Sequence, residues 1–341
     1  MTPAAINVFA PCRLGLAGGG TDVPAYAARF GGAVLSATIT LGASVRAEAL
    51  SGAGVRLELA DFGVEGDYGD VAAMRAHAPV AAALVAAVIN EVRPGGGVAL
   101  RVATGLPPGS GLGTSGAVGV ALTYALAALN GGAPDAATAA ELASIVEIER
   151  LGRPIGRQDQ YAAAYGGLNL FRFDAGGVTR EPLALTGAKR ADFNRHFMLF
   201  FSGRRRDSAA VLTGQRARVL AGDEATLAAL HRNRDLAPAM AAAAVAGDFA
   251  AFGGLMHDAW EAKLGASQRV ADARAVAACE GARARGAWAM KVTGAGAGGF
   301  YLVMAPPARQ AAVAAYLAAN GFERYDFAFD DRGVRPLAAG A

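Results

Sequence analysis

The chain is short of cysteine, of aromatic residues and of any excess of one charge, and each shortage removes a class of function. Its two cysteines, Cys12 and Cys279, lie far apart in 341 residues without metal-ligand spacing. That argues against a disulfide framework or a zinc site and points to a reducing cytoplasm. The four histidines, His77, His196, His231 and His257, show no metal spacing either, and none is assigned chemistry. Aromatic residues make up 7% and form no cluster with basic ones, while 32 Lys and Arg face 29 Asp and Glu for a net charge of +3. A nucleic-acid surface wants a dense basic stripe interleaved with stacking aromatics. An RNA-binding module is therefore disfavoured, and the sequence pI near 9.0 leans mildly toward a small anionic substrate. No apolar run reaches the roughly 18 uncharged residues of a spanning helix. The first residues lack a basic segment followed by an apolar core, so a soluble, unexported protein with no membrane partner is expected. At 53% apolar and 18% charged, with no low-complexity tail, the chain reads as compact rather than disordered.

What it has in quantity is glycine, 46 residues, much of it in three segments: RLGLAGGGTD (13–22), PPGSGLGTSG (107–116) and KVTGAGAGGF (291–300). Glycine accepts positive φ and carries no Cβ, so successive backbone N–H groups can converge on an anion. The middle segment carries the strongest signal. It follows the strand-like VALRVA (98–103) and precedes an Ala/Val/Leu-rich stretch (114–130) without proline. A loop that ends at the positive end of a helix suits a triphosphate.

The length predicts two domains, with a boundary near 185–195. Before it, strands are expected at 5–10, 33–49, 55–60 and 98–103, and short helices at 23–29 and 158–164. Longer helices are expected at 80–92, 114–130 and 135–151, and a hairpin around 174–177. Beyond it come the strand HFMLFFS (196–202) and a mostly helical stretch from 207 to 284. Strand AWAMKV, the third glycine loop, strand GFYLVMA, a helix at 308–319 and a last strand near 324–329 complete a small α+β sandwich.

Two of the loops match a dinucleotide fingerprint literally, at Gly111, Gly113 and Gly116 and at Gly294, Gly296 and Gly299, but neither has the strand–helix–strand context that such a site needs. A Walker loop is excluded because no Gly-Lys-Ser/Thr ends either one. Phosphate binding by another kind of loop remains. Thr114 and Ser115 stand at the helix start, where a hydroxyl caps the helix or ligates magnesium. Glu147 and Glu149, two apart on the next helix, face different ways, so only one can point at the loop. Asp159, between two glutamines after a Pro-Ile-Gly turn, and Asp22, behind Gly18-Gly19-Gly20-Thr21, each read equally as helix caps.

In these three segments, and across essentially its whole length, the chain resembles the GHMP kinases, the superfamily of galactokinase, homoserine kinase, mevalonate kinase and phosphomevalonate kinase. The middle motif, Pro107-x-x-x-Gly111-Leu112-Gly113-Thr114-Ser115, is specific, with Thr114 where a serine is usual. The wording AGGGTD, GGAVLSATI, LGRPIGRQDQYAAAYGGLN and GAGAGGF is most similar to the branch of heptose 7-phosphate kinases and related sugar 1-kinases. The resemblance implies an α+β, two-domain GHMP kinase fold. An ATP-binding N-terminal domain (1–188), like a domain of a ribosomal protein, would precede a ferredoxin-like α/β sandwich (189–341). It implies ATP and Mg²⁺, with ATP on Pro107, Gly109, Ser110, Gly111, Leu112, Gly113, Thr114 and Ser115, and the metal on Thr114 and Glu149. Asp159 would take the proton of the attacking hydroxyl and Arg13 would keep that acid ionised. Gly19, Gly20, Thr21 and Asp22 would hold the sugar, and Gly294 and Gly296 would close the site from the second domain. Arg206, in the triplet 204–206, would meet a phosphate already on the acceptor, with Arg157 and Lys291 as further candidates.

The expected reaction is phosphorylation of the anomeric hydroxyl of D-glycero-D-manno-heptose 7-phosphate to the 1,7-bisphosphate for nucleotide-sugar synthesis. Fucose, galactose or an octose phosphate are the alternative acceptors. One departure bears on the choice: after GGAVLSATI the chain reads Thr40-Leu41-Gly42-Ala43, without the branch's usual lysine. The sequence leaves a homodimer open.

Overall fold

A computed structural model of the chain describes residues 5–107, 109–204, 208–266, 270–296 and 298–338. Strand β1 (Ala5–Ala17) pairs antiparallel with the long β2 (Gly32–Leu50), and helix α1 (Pro24–Phe30) fills the connection. Then come β3 (Val55–Leu59), β4 (Val64–Tyr68), α2 (Val71–His77), α3 (Ala83–Val92) and β5 (Gly97–Ala103). The central loop leads into α4 (Thr114–Leu129) and α5 (Ala136–Ile145), which runs on as a π-helical turn over Val146–Arg150. Helix α6 (Gln158–Tyr165) and the hairpin β6 (Leu168–Asp174) and β7 (Gly177–Pro182) follow. The second half holds α7 (Gly187–Asn194), β8 (Phe197–Phe201), α8 (Ser208–Leu220), α9 (Glu224–Ala246), α10 (Phe249–Ala266) and α11 (Ala273–Ala284). It ends with β9 (Ala289–Val292), β10 (Phe300–Met304), α12 (Pro307–Ala319), β11 (Glu323–Tyr325) and β12 (Arg335–Pro336). The fold is the α+β arrangement expected, with strands gathered in two sheets rather than one alternating βα series.

The first sheet runs β12-β1-β2-β5-β3-β4, with β6 and β7 branching from β2. Strand β2 is long enough to serve two partners. Its first half pairs with β6 (Ser36↔Asn169) and its second with β5 (Val45↔Val102). Strand β1 continues to Ala17, well past the expected end near residue 10, because Leu14 and Leu16 keep the inward alternation of a strand and are fully buried. Its register shifts between Pro11 and Arg13, where the proline has no N–H to give the ladder. Helix α4 is apolar almost all round, as a helix enclosed on every side must be. Its Gly116, Gly119, Ala117 and Ala121 let it lie close between the sheet and α3, α5 and α6.

The second sheet is antiparallel, in the order β11-β8-β10-β9. Met198, Phe200, Tyr301 and Val303 face α11 and α12 in one core. Phe197, Leu199, Phe300 and Leu302 join Phe193, Met240 and Phe252 in a cluster continuous with the core of the first sheet. A strand near 324–329 is observed only as far as Tyr325. The chain then leaves the second sheet and returns to the first: Thr40 N–H donates to the Ala328 carbonyl, Asp330 N–H to that of Thr38, and Gly167 N–H to that of Asp330. Strand β12 then pairs with β1 at Val8↔Pro336.

Candidate active site

The loop between β5 and α4 places Gly109, Gly111 and Gly113 at φ 72, 80 and 76, the left-handed region that glycine occupies without strain. Its carbonyls are held from behind. Ser110 O accepts from Phe300 N–H at 3.0 Å, Gly111 O from Arg13 at 2.8 Å, and Leu112 O from Arg13 N–H at 2.9 Å. In a trans peptide the N–H points opposite to the C=O, so the amides of Gly111 and Gly113 point away from these holds, while Leu112 N–H donates to Ser110 Oγ at 3.4 Å. Helix α4 has Gly113 as its N-cap and no side chain capping it, leaving its first-turn donors to a ligand. The capping reading of Thr114 and Ser115 is thereby excluded.

The third glycine segment presses on this loop. A Cβ on Gly294 would come within 2.7 Å of the Gly111 backbone, and Thr293 Oγ1 donates to Gly111 O at 3.1 Å. Gly294 lines the cleft. Gly296 does not: at φ 110 it packs on Val270, where a Cβ would meet the Val270 carbonyl at 2.6 Å, so its expected place at the substrate is corrected to a structural one.

Asp159, in the first turn of α6, faces the start of α4. A Cβ on Gly116 would fall 2.7 Å from Asp159 Cβ, so the missing side chain is what lets the two helix starts meet. Arg13, on β1 beside the register shift, donates through Nε to Asp159 Oδ1 at 2.8 Å, with a second guanidinium nitrogen at 2.6 Å from the same oxygen. Arg13 is buried, whereas Asp159 keeps 23% of its side chain exposed to the cleft. An acid so held remains open to a reactant.

The two glutamates are sorted by the π-helical turn. Glu147 is fully buried, pairs with Arg153, accepts from Gln160 Nε2 at 2.7 Å and bonds the Ser115 hydroxyl. Burial pushes its carboxyl above the ordinary value, against the pull of Arg153, Ser115 and Gln160. Glu149 is 54% exposed beside Arg150, so the expectation that it reaches the phosphate loop is corrected in favour of Glu147. Thr114 stands in the cleft lining at the start of α4, as expected. Its hydroxyl lies 2.8 Å from Ser110 Oγ, while that of Ser115 faces the buried carboxylate.

Asp22 is buried and accepts three hydrogen bonds, from Gly20 N–H, Gln158 N–H and Gln158 Nε2, at 3.0, 3.0 and 2.9 Å. Burial raises its carboxyl above the usual value. A carboxylate has about four lone-pair sites, so little capacity remains for a sugar hydroxyl, and much of its work is to tie the first glycine loop to α6. Gly19 and Gly20 line the cleft, but Thr21 points away, spending its hydroxyl on the carbonyls of Gly18 and Ala33. Leu112 likewise gives the loop its backbone while its side chain is buried in the core, and Pro107 stands behind the lining. Pro108 and Arg206 lie outside the described residues. Arg204 pairs with Asp272 and Arg157 with Glu141.

The cleft has a volume of about 260 Å³ and is walled from both halves of the chain. Three of its residues receive no role from the sequence. Gln158 adjoins Asp159 and links it to Asp22. Asn233, on α9, accepts from Gly18 N–H and donates to Gly19 O. Lys263, on α10, donates to Gly294 O at 2.5 Å. The last two sit in the Ala-rich helical stretch, where only a polar residue at a buried helical position would have marked them.

Glycine-loop amides at a helix start, an arginine-held carboxylate beside them and a cleft between two lobes define a small-molecule phosphotransferase. The chain belongs to the GHMP kinase family: residues 80–167 match the GHMP kinases N terminal domain and residues 240–323 the GHMP kinases C terminal domain. It is 27% identical over 97% of its length, and 98% of the relative's, to the D-glycero-alpha-D-manno-heptose 7-phosphate kinase of Campylobacter jejuni. A D-glycero-D-manno-heptose 1-phosphate kinase from Bacteriodes thetaiotaomicron superposes at a TM-score of 0.76 with 26% identity, covering 98% of this chain and all of that one. Lactococcus lactis galactokinase complexed with galactose shares the fold at 0.80 with 20% identity, covering 98% and 96%.

Proposed function

We propose that the protein transfers the terminal phosphoryl group of ATP to the anomeric hydroxyl of D-glycero-D-manno-heptose 7-phosphate, giving a 1,7-bisphosphate for nucleotide-sugar synthesis. The observation that carries the phosphotransfer reading is Asp159, held by Arg13 against the start of α4 and open to the cleft. The choice of acceptor rests on the heptose 7-phosphate kinase that matches nearly end to end. Asp159 accepts the hydroxyl proton as the sugar oxygen bonds to the γ-phosphorus and the bond from that phosphorus to the ADP oxygen breaks. Arg13 holds the acid in place through its two guanidinium contacts, and the amides of the glycine loop hold the nucleotide's anionic tail.

Magnesium keeps waters and takes phosphate oxygens beside one or two protein ligands. Ser115 and Glu147 fit it. Their oxygens adjoin at the helix start, and the desolvated carboxylate already draws one cation, Arg153, onto itself. When bound, the ion would neutralise the phosphates.

The test is a coupled ADP-release assay over heptose 7-phosphate, octose phosphate, galactose and fucose. The expected result is a kcat/KM at least tenfold higher for the heptose phosphate, and no turnover on any sugar would refute the reading. One observation favours a second acceptor, an unphosphorylated hexose: the segment 40–43 lacks the lysine usual among the heptose kinases.

A further inference from the structure

Two lysines in the cleft have no acid to match them. Lys291, on β9, is 5% exposed and donates to Gly15 O at 2.5 Å; Lys263 reaches Gly294 O at the same distance. Neither lies within ion-pair distance of a carboxylate among the described residues, and each ammonium has three donors, so two on each are left over. Both line the cleft. Burying a cation without an anion is costly, and such a site persists most readily where a ligand supplies the charge.

We propose that Lys263 and Lys291 form a subsite for a phosphate monoester on the acceptor, separate from the glycine loop that serves the nucleotide. The proposal deepens the kinase reading above, on which it rests. The lysines come from the second half of the chain, opposite Asp22, and the backbone amides of the phosphate loop are already committed to the other anion. Among the described residues, the charged groups near Lys263 are Arg13 on β1, Asp22 and Asp159 on α6; those near Lys291 are Lys263 and Arg13. Arg13 and Asp159 neutralise each other, so among the described residues the two lysines, when both are protonated, stand against Asp22 with a surplus of one positive charge.

That surplus has a proton signature. Burial first, then Arg13, lowers Lys263 to about 8, and burial with Lys263 and Arg13 lowers Lys291 well below the ordinary lysine value. A bound dianion favours the charged forms and raises both. Binding of a sugar phosphate at pH 8.5 therefore takes up protons, and affinity falls as pH rises through about 8.

The experiment uses the full chain and its K263M, K291M and K263R variants, with folding checked by circular dichroism. Calorimetric titration without nucleotide uses heptose 7-phosphate, mannose 6-phosphate and free heptose, in two buffers of different ionisation enthalpy. A separate arm titrates a non-hydrolysable ATP analogue. The expected result is at least tenfold weaker binding of the sugar phosphates to K263M and K291M, with proton uptake reduced. K263R should recover part of the affinity, and free heptose and the ATP analogue should stay within twofold of wild type. Loss confined to the ATP analogue would assign the pair to the transferred phosphoryl group and overturn the acceptor site, as would no loss anywhere. Sugar phosphates that bind through these lysines without being phosphorylated would sink the kinase reading alone. Full turnover of free sugar with the lysines silent would sink the subsite alone.

Discussion

At the scale of single residues the site depends on one absent side chain and one charge pair. Gly116 leaves room for Asp159, and Arg13 turns it toward the cleft, so the two changes D159N and G116A should fail differently. D159N keeps the shape and loses the proton acceptor. Its kcat should fall by about 100- to 10,000-fold while KM for ATP stays within twofold; steady-state kinetics on the preferred sugar would show it, and near-normal turnover would remove the assigned base. In G116A the new methyl meets Asp159 Cβ and the α6 backbone at 2.7 and 3.0 Å. Backbone rather than a flexible chain end must yield there, at a cost of about 1–3 kcal/mol. Both Tm and kcat should drop in G116A, whereas D159N should lower kcat alone. That Asp159 and Arg13 meet beside the phosphate loop could be anticipated from the family resemblance. Gly116 could be read only as part of a fingerprint that the structure does not form, because its function is a contact with a helix forty residues on.

Among the elements, the π-helical turn at Val146–Arg150 decides which glutamate serves the loop. In a regular α-helix, residues two apart point roughly 200° from one another, and the sequence alone cannot say which faces inward. The wider turn places Glu147 under Ser115 and leaves Glu149 in solvent. E147Q should therefore raise the magnesium concentration for half-maximal activity by about 10–100-fold, the effect usual for losing a metal ligand or its partner, while E149Q should change nothing beyond twofold. Magnesium titration of both variants compares them directly, and the reverse ranking would restore Glu149. Such a turn leaves little trace in side-chain type, which is why the sequence does not show that Glu147 rather than Glu149 is the buried member of the pair. The strand–loop–helix of β5 and α4 was legible because glycine and an uninterrupted apolar helix signal themselves locally. Strand β4 and helix α2 were not. VEGDY carries one clear apolar residue at its start, and VAAMRAH is too short for a helical period to stand out. The first owes its place to pairing with β3, Leu57↔Gly66, a contact that propensity does not encode.

Across the whole molecule, the chain crosses between its sheets twice, and the second crossing bears on whether residues 1–188 and 189–341 behave as separate units. After β11 the segment 326–338 runs back over the first sheet, where Asp330 is buried and bonded to Arg335 at 2.6 Å. The ring of Phe329 packs on Phe193 and Phe197, at 5.8 and 5.5 Å between centroids. The larger core cluster joins side chains from both halves as well. A shared core and a strap should make unfolding a single cooperative event. Both tryptophans, Trp260 and Trp288, lie in the second half, so fluorescence reports on it, while far-ultraviolet circular dichroism reports on the whole. In urea the two signals should coincide for the full chain; separate midpoints would mean independent domains. A chain stopped after Tyr325 loses β12, the Asp330 network and Phe329 together. Its midpoint should be lower and its two signals should part, with ellipticity lost in two stages, because the strap then no longer binds the sheet that carries Arg13 to the half that carries Lys263 and Lys291.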